Sequence, residues 1–340
     1  MNRRSAERII ARYAKAAAAC SRGSRIIAQP ARMLAEADNG ASLRAVARWT
    51  RNEWSCPNAS GGPAAKGEGR VSKRLEGKVA IIVGAGQMAG ESIGTGRATA
   101  LRFMQEGASV LALDRHMDSA EETLALGGAG RGDSFAFRAD VTSSADLEAA
   151  VAAAMRKWGR IDVVFYNVGV AFAAGDRPLE EFTDEIFERM GAINLRGAIM
   201  TAKYAIPVMR KQKSGVFLSL SSVSAIETTR PNIGYRITKA GLIAFTQQLA
   251  IQNAEYGVRA NSILPGMMDT PMAVDQRVSL LGKTREQLVA ERSAQVPLRG
   301  KMGTGWDVAN AALFLASDEA DFITGIALPV DGGMLSRIGW

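Results

Sequence analysis

The sequence contains a single histidine, His116, and two cysteines, Cys20 and Cys56, in 340 residues. So few imidazoles and thiols exclude His/Cys zinc sites, Ser-His-Asp triads and Cys-His nucleophiles, and no metal site is expected. Two cysteines cannot build a disulfide framework. No run approaches the ~18 apolar residues that a membrane span requires, so no membrane partner is expected. Beyond residue 70 there is also no excess charge of either sign. Residues 1–70 hold 13 Lys+Arg against 5 acids, which is the whole of the net charge of +8. The basic character belongs to that extension, and no nucleic-acid partner is inferred for the remainder.

Both cysteines lie in the same extension, which ends in the linker-like stretch Pro57 to Pro63. Its longest early apolar stretch, Ala16 to Cys20, is too short for a secretory signal, and a cytoplasmic protein is expected. Three readings stay open: a disordered basic tail, an organelle transit peptide, or sequence upstream of a true start at Val71. The division that follows is a basic extension over residues 1–72 and a single domain over residues 73–340.

Glycine is abundant, 35 of 340, which implies tight turns or close approach of backbone to a ligand. From residue 75 onward strands and helices alternate. Val79–Val83, Val110–Leu113, Phe135–Phe137, Ile161–Phe165, Val216–Leu220, Val258–Ile263 and Ile326–Pro329 read as seven short apolar strands. Helices are predicted near residues 97–106, 144–158, 184–212, 234–256 and 306–316. The pattern predicts an α/β, Rossmann-type doubly wound parallel sheet of about seven strands, with its ligand at the carboxyl ends of the strands.

The first strand runs into a glycine-rich turn holding Gly84, Gly86, Gly90, Gly94 and Gly96, then into a helix. Such a turn lets backbone approach a pyrophosphate at a helix N-terminus. Asp114 closes the second strand, where a carboxylate can accept both ribose hydroxyls and would repel a 2′-phosphate; Arg115 beside it softens that preference. NAD(H) is therefore the preferred cofactor and NADP(H) the second choice. Asp140, followed by Val141 at the end of the third strand, is placed either to reach the adenine amino group or to stay a solvated loop carboxylate.

At the other end, Tyr235 and Lys239 stand four apart and share one helix face, just downstream of the hydroxyls Ser219, Ser221 and Ser222. A phenol of pKa ~10 must fall by ~3 units to exchange protons near neutrality, which needs about 4 kcal/mol of preference for the phenolate. A neighbouring ammonium and a positive nicotinamide could supply it.

These residues resemble the short-chain dehydrogenase/reductase family in its single-domain form, across residues 75–334. Tyr235 to Lys239 is similar to its Tyr-x-x-x-Lys motif, and Ser222 lies thirteen residues before the tyrosine, the family spacing for the catalytic serine. The resemblance implies that Asn194 holds a proton-relay water and that Pro265, Gly266 and Thr270 bind the nicotinamide carboxamide. It implies reversible hydride transfer between nicotinamide and a secondary alcohol or ketone, with Tyr235 exchanging the hydroxyl proton. Lys239 would lower the phenol's pKa and hold the ribose, and Ser222 would polarise the substrate oxygen. A homo-oligomer, dimer or tetramer, is implied as well. Each residue also has a structural alternative: a packed aromatic for Tyr235, a strand-end cap for Ser222, an in-helix hydrogen bonder for Asn194.

The sequence departs from the family pattern twice. Nine residues rather than three separate Gly84 from Gly94, a six-residue insertion; the set Gly84, Gly94 and Gly96 is preferred over the alternative of Gly86 and Gly90, which leaves Ser92 at the third position. At the fourth strand the family's Asn-Asn-Ala-Gly is Tyr166-Asn167-Val168-Gly169, which keeps Asn167 and Gly169 and gives Tyr166 a sheet-packing role. Specificity is expected from residues 271–299, read as a flexible apolar lid that favours an alicyclic, aromatic or acyl substrate. The alternative of a different class is a catalytically silent dinucleotide-binding regulatory protein.

Overall fold

The computed structural model describes residues 73–337 apart from 172–174 and 228–232, so the expected extension over residues 1–72 lies outside the described residues. Nine strands are described: β1 Val79–Val83, β2 Ser109–Asp114, β3 Phe135–Arg138, β4 Val163–Tyr166, β5 Gly215–Leu220, β6 Val258–Pro265, β7 Met268–Asp269, β8 Gly303–Thr304 and β9 Ala327–Val330. Seven form one parallel sheet in the order β3-β2-β1-β4-β5-β6-β9, and β7 pairs with β8. The seven expected strands are all present in that sheet. The β7–β8 pair was not anticipated, because two residues are too few for an alternating or apolar run to register.

The strands β1, β4 and β5 are buried along their whole length, as their unbroken Val/Ile/Phe runs require. On one face pack the helices α1 Thr95–Gln105, α2 Met117–Leu126 and α9 Gly305–Ala316; on the other pack α3 Ser144–Trp158, α5 Gly197–Gln212 and α6 Ile233–Asn253. Local sequence fixes their ends. Ser143 accepts a bond from the Asp146 amide at the start of α3, and Gly159 closes it in the left-handed conformation. Chain order reverses between β1 and β4, and the crevice opens there, at the carboxyl ends of the strands.

The helix expected over residues 184–212 is broken. It comprises α4 Asp184–Met190, a wide π-type turn over Gly191–Arg196, and then α5. A π turn leaves a carbonyl outside the ordinary ladder. Tyr166 supplies a donor, its hydroxyl meeting the Ile193 carbonyl at 2.5 Å from beneath, and a side chain at Gly197 would collide with that phenol. Burial pushes the Tyr166 phenol well above its usual pKa, which keeps it a proton donor. Tyr166→Phe should therefore lower the unfolding free energy by about 1–3 kcal/mol in urea denaturation, because it orphans a buried carbonyl.

Residues 271–299 carry two short helices, α7 Asp275–Leu281 and α8 Arg285–Ser293, over a small core of Val274, Leu288, Val296, Met267 and Met302. Leu288 is 4% exposed, but Leu280 and Leu281 turn to solvent. Among the described residues no helix is long and apolar enough to cross a membrane.

Candidate active site

A cavity of about 620 Å³ occupies the crevice at the carboxyl ends of the strands. It is lined by Gly84, Gly94, Gly96, Asp114, Arg115, Asp140, Val141, Asn167, Gly169, Ser222, Tyr235, Lys239, Pro265, Gly266 and Thr270. Of the residues singled out from the sequence, Asn194 is not part of the lining.

The glycine turn is built around its insertion. Gly84 adopts φ +84° as the chain leaves β1, and its amide bonds the Leu113 carbonyl at 2.8 Å. Gly96 lies against the Gly84 carbonyl so closely that a Cβ there would overlap it. Gly84, Gly94 and Gly96 thus form the turn that opens α1, while Gly86 faces Asp114 and Gly90 faces Pro271 and Asp275. Gln87 closes the excursion: its Oε1 accepts the Gly94 amide at 2.8 Å and its Nε2 donates to the Ser92 carbonyl at 3.2 Å. The tip reaches the segment after β6, where Arg285 bonds Asp269 at 2.6 Å and Asp275 at 3.1 Å and approaches Glu91 at 3.5 Å.

Asp114 accepts the Gly86 amide on Oδ2 and the His116 amide on Oδ1, each at 3.0 Å. A carboxylate has about four acceptor positions, so two remain for a ligand. Asp140 accepts both the hydroxyl and the amide of Thr142, and these bonds hold its pKa below the usual carboxylate value. Asn167 donates to the Gly84 carbonyl and accepts from Thr95, tying β4 to the turn.

The expected hydroxyl cluster separates into three roles. Ser219 is buried away from the cavity, bonded to Thr246 and Ser262. Ser221 donates to the Lys239 carbonyl at 2.7 Å and fastens α6 to β5. Ser222 lines the cavity; its Oγ accepts the Ser224 amide at 3.1 Å, so it caps a short turn while its own hydrogen stays available. The strand-end cap and a place in the cavity lining therefore coexist in one side chain.

Tyr235 is half-buried on the cavity wall, with the Lys239 Nζ 5.6 Å from its ring centroid. Lys239 is fully buried and donates to the Leu220 carbonyl at 2.7 Å; burial pulls its pKa down to about 7. Asn194, expected to hold a relay water, lies behind the cavity wall. Its Oδ1 accepts the Val170 amide, its Nδ2 donates to the Val170 carbonyl and to Thr238, and it is 0% exposed. Its side chain is spent on holding the π turn to β4 and α6.

Sequence reasoning missed Asp176. This carboxylate is 1% exposed and accepts the amides of Gly234 and Tyr235, each at 3.0 Å, so it caps the start of α6 from 59 residues away. No local capping pattern could reveal it, because the cap comes from a distant loop. The sequence reading also missed Arg236, Arg277 and Arg292, which line the same cavity.

The family model described as enoyl-(acyl carrier protein) reductase matches residues 89–335. The 2,5-dichloro-2,5-cyclohexadiene-1,4-diol dehydrogenase LinX of Sphingobium indicum is 35% identical over 263 residues, 77% of this chain and 98% of its own. Levodione reductase of Leifsonia aquatica is 33% identical over 262 residues, 76% of this chain and 95% of its own. Among solved structures, a Burkholderia xenovorans protein classed with the short-chain dehydrogenases/reductases aligns with TM-score 0.73 and 40% identity, over 78% of this chain and 100% of its own.

Proposed function

This chain belongs to the short-chain dehydrogenase/reductase family, and on that premise we propose that Tyr235, Lys239 and Ser222 perform its chemistry. It is an NAD(P)-dependent oxidoreductase acting on secondary alcohols and ketones, and its relatives give no support to the silent regulatory alternative. The observation that carries the residue assignment is the convergence of the Tyr235 phenol, the Lys239 ammonium and the Ser222 hydroxyl on one cavity at the switch point.

The residues present suit a dinucleotide. Gly96 lets α1 pack directly on the Gly84 carbonyl, the α1 N-terminus faces the cavity, and Asp114 keeps acceptor positions open. When bound, the nicotinamide supplies or accepts the hydride. Gly84, Gly94 and Gly96 would hold the pyrophosphate, Asp114 and Asp140 the adenosine, and Asn167, Gly169, Pro265, Gly266 and Thr270 the nicotinamide end.

The rest is proton chemistry of the chain's own groups. Ser222 donates to the substrate oxygen and orients it. Tyr235 delivers a proton to that oxygen in reduction and takes it back in oxidation. Lys239 stabilises the phenolate between those events, and Asp176 fixes the first turn of α6 so that the phenol stays on the cavity wall.

The preference proposed is NAD(H), since a 2′-phosphate would sit against the Asp114 carboxylate. kcat/KM should favour NADH over NADPH by tenfold or more, and Asp114→Ala should narrow that ratio, with Arg115 then facing the phosphate. Equal use of both cofactors by the unmodified enzyme would reject the preference. Phe187, Ile199, Ile237 and Ile251 are exposed apolar side chains on α4, α5 and α6, and they support a homo-oligomer.

A further inference from the structure

The catalytic end of the cavity carries more positive charge than a neutral ketone requires. Arg236, Arg277 and Arg292 line it from three separate elements, α6, α7 and α8. Of the carboxylates in the lining, Asp114 and Asp140 belong to the β2 and β3 ends, across the switch point. Only Glu227, in the loop after Ser222, shares the arginines' end of the lining. Three guanidinium-bearing residues and one carboxylate line this end.

These cations are also set in place. Arg236 follows Tyr235 directly and donates to the backbone carbonyls of Glu227 and Ile226, which fixes its guanidinium against the loop after Ser222. Arg292 is 6% exposed, an unusual degree of burial for a guanidinium that lines an open cavity. The remaining wall at this end is apolar, with Val223, Met267, Met268 and Met272. Apolar walls strengthen a charge-assisted bond by excluding water, and a guanidinium fork matches the geometry of an oxoanion.

We infer that the substrate is an oxoanion-bearing ketone or secondary alcohol, its carboxylate or other oxoanion held by Arg236, Arg277 and Arg292 and its apolar body lying on the methionines. This rests on the reading that Tyr235 marks the reacting oxygen, and it adds an anionic group to the alicyclic, aromatic or acyl substrate expected from the apolar lid. A charge-assisted bond in such a site is worth roughly tenfold to a hundredfold in affinity.

The test uses the full chain with saturating NADH and a series of oxo acids whose carboxylate stands two to five bonds from the ketone, each beside its methyl ester. At the best spacing the acid should be preferred by at least tenfold in kcat/KM, mainly through KM. That ratio should collapse toward one in Arg277→Gln and in Arg236→Gln; these two carry the test if Arg292→Gln does not fold. Thermal stabilisation of the NADH-loaded protein by carboxylic acids, compared with the corresponding amides, reads the same preference without turnover. Esters reduced as well as acids at every spacing would overturn the proposal while leaving Tyr235-dependent oxidoreduction intact. A raised KM for NADH in the arginine variants, with the acid-to-ester ratio unchanged, would overturn it too and assign these cations to the dinucleotide phosphates.

Discussion

Tyr235→Phe should lower kcat for ketone reduction by about 10²- to 10⁴-fold, the range for removing a positioned general acid. The substitution removes one oxygen and keeps the ring, so the packing of α6 and the Asp176 cap at its first turn should persist. Dinucleotide affinity, read by fluorescence titration, should stay within about threefold of the parent. A kcat within a few-fold of the parent would mean that the substrate oxygen exchanges its proton elsewhere, and the assignment of the acid would fall.

Gly96→Ala should abolish dinucleotide binding, with affinity falling at least a hundredfold. The added methyl would overlap the Gly84 carbonyl oxygen and crowd the Asn167 amide, so α1 must move away from β1. Neither neighbour is a flexible side-chain end: one is backbone, and the other is tied to Gly84 and Thr95. Gly94→Ala should lose less, since the nearest atoms to a Cβ there are those of Gln87 at 3.6 Å, ordinary contact, so α1 stays in place and only the approach of the pyrophosphate is crowded. Equal losses in both variants would show that the turn is not built on the Gly84–Gly96 contact.

The contrast between these two glycines shows what the sequence could and could not reveal. The seven strands and the residues read at the catalytic end were legible because each rests on local patterning: apolar strands at regular intervals, and a tyrosine and lysine one helical turn apart. Gly96 was legible for the same reason, because it opens a helix directly after a buried strand. The insertion was visible as a count of residues, but its course was not. Its closure by Gln87 and its approach to Arg285 join residues that no periodicity links. The partners of the Asn194 amide, Val170 and Thr238, could not be read from the sequence, because these contacts join elements distant in sequence. Asp176 and the three arginines were hidden likewise: a charged residue on a short helix or loop reads as solvated surface until the fold turns it inward.

The link between the phenol and the ammonium is the centre of this account, and the pH dependence of both reaction directions measures it. Burial brings Lys239 to about 7 while an ordinary phenol titrates near 10, so the two titrate as a coupled pair whose macroscopic values belong to both. Reduction needs the protonated phenol, so kcat/KM for the ketone should fall as pH rises through the pair's lower break, where the phenol gives up its proton while Lys239 is still charged. Oxidation needs the phenolate, so its rate should rise through the same break. That break should lie well below 10 in the parent enzyme and move up toward 10 in Lys239→Met. An identical break in the two proteins would contradict the account, because the phenol would then owe its acidity to something other than Lys239.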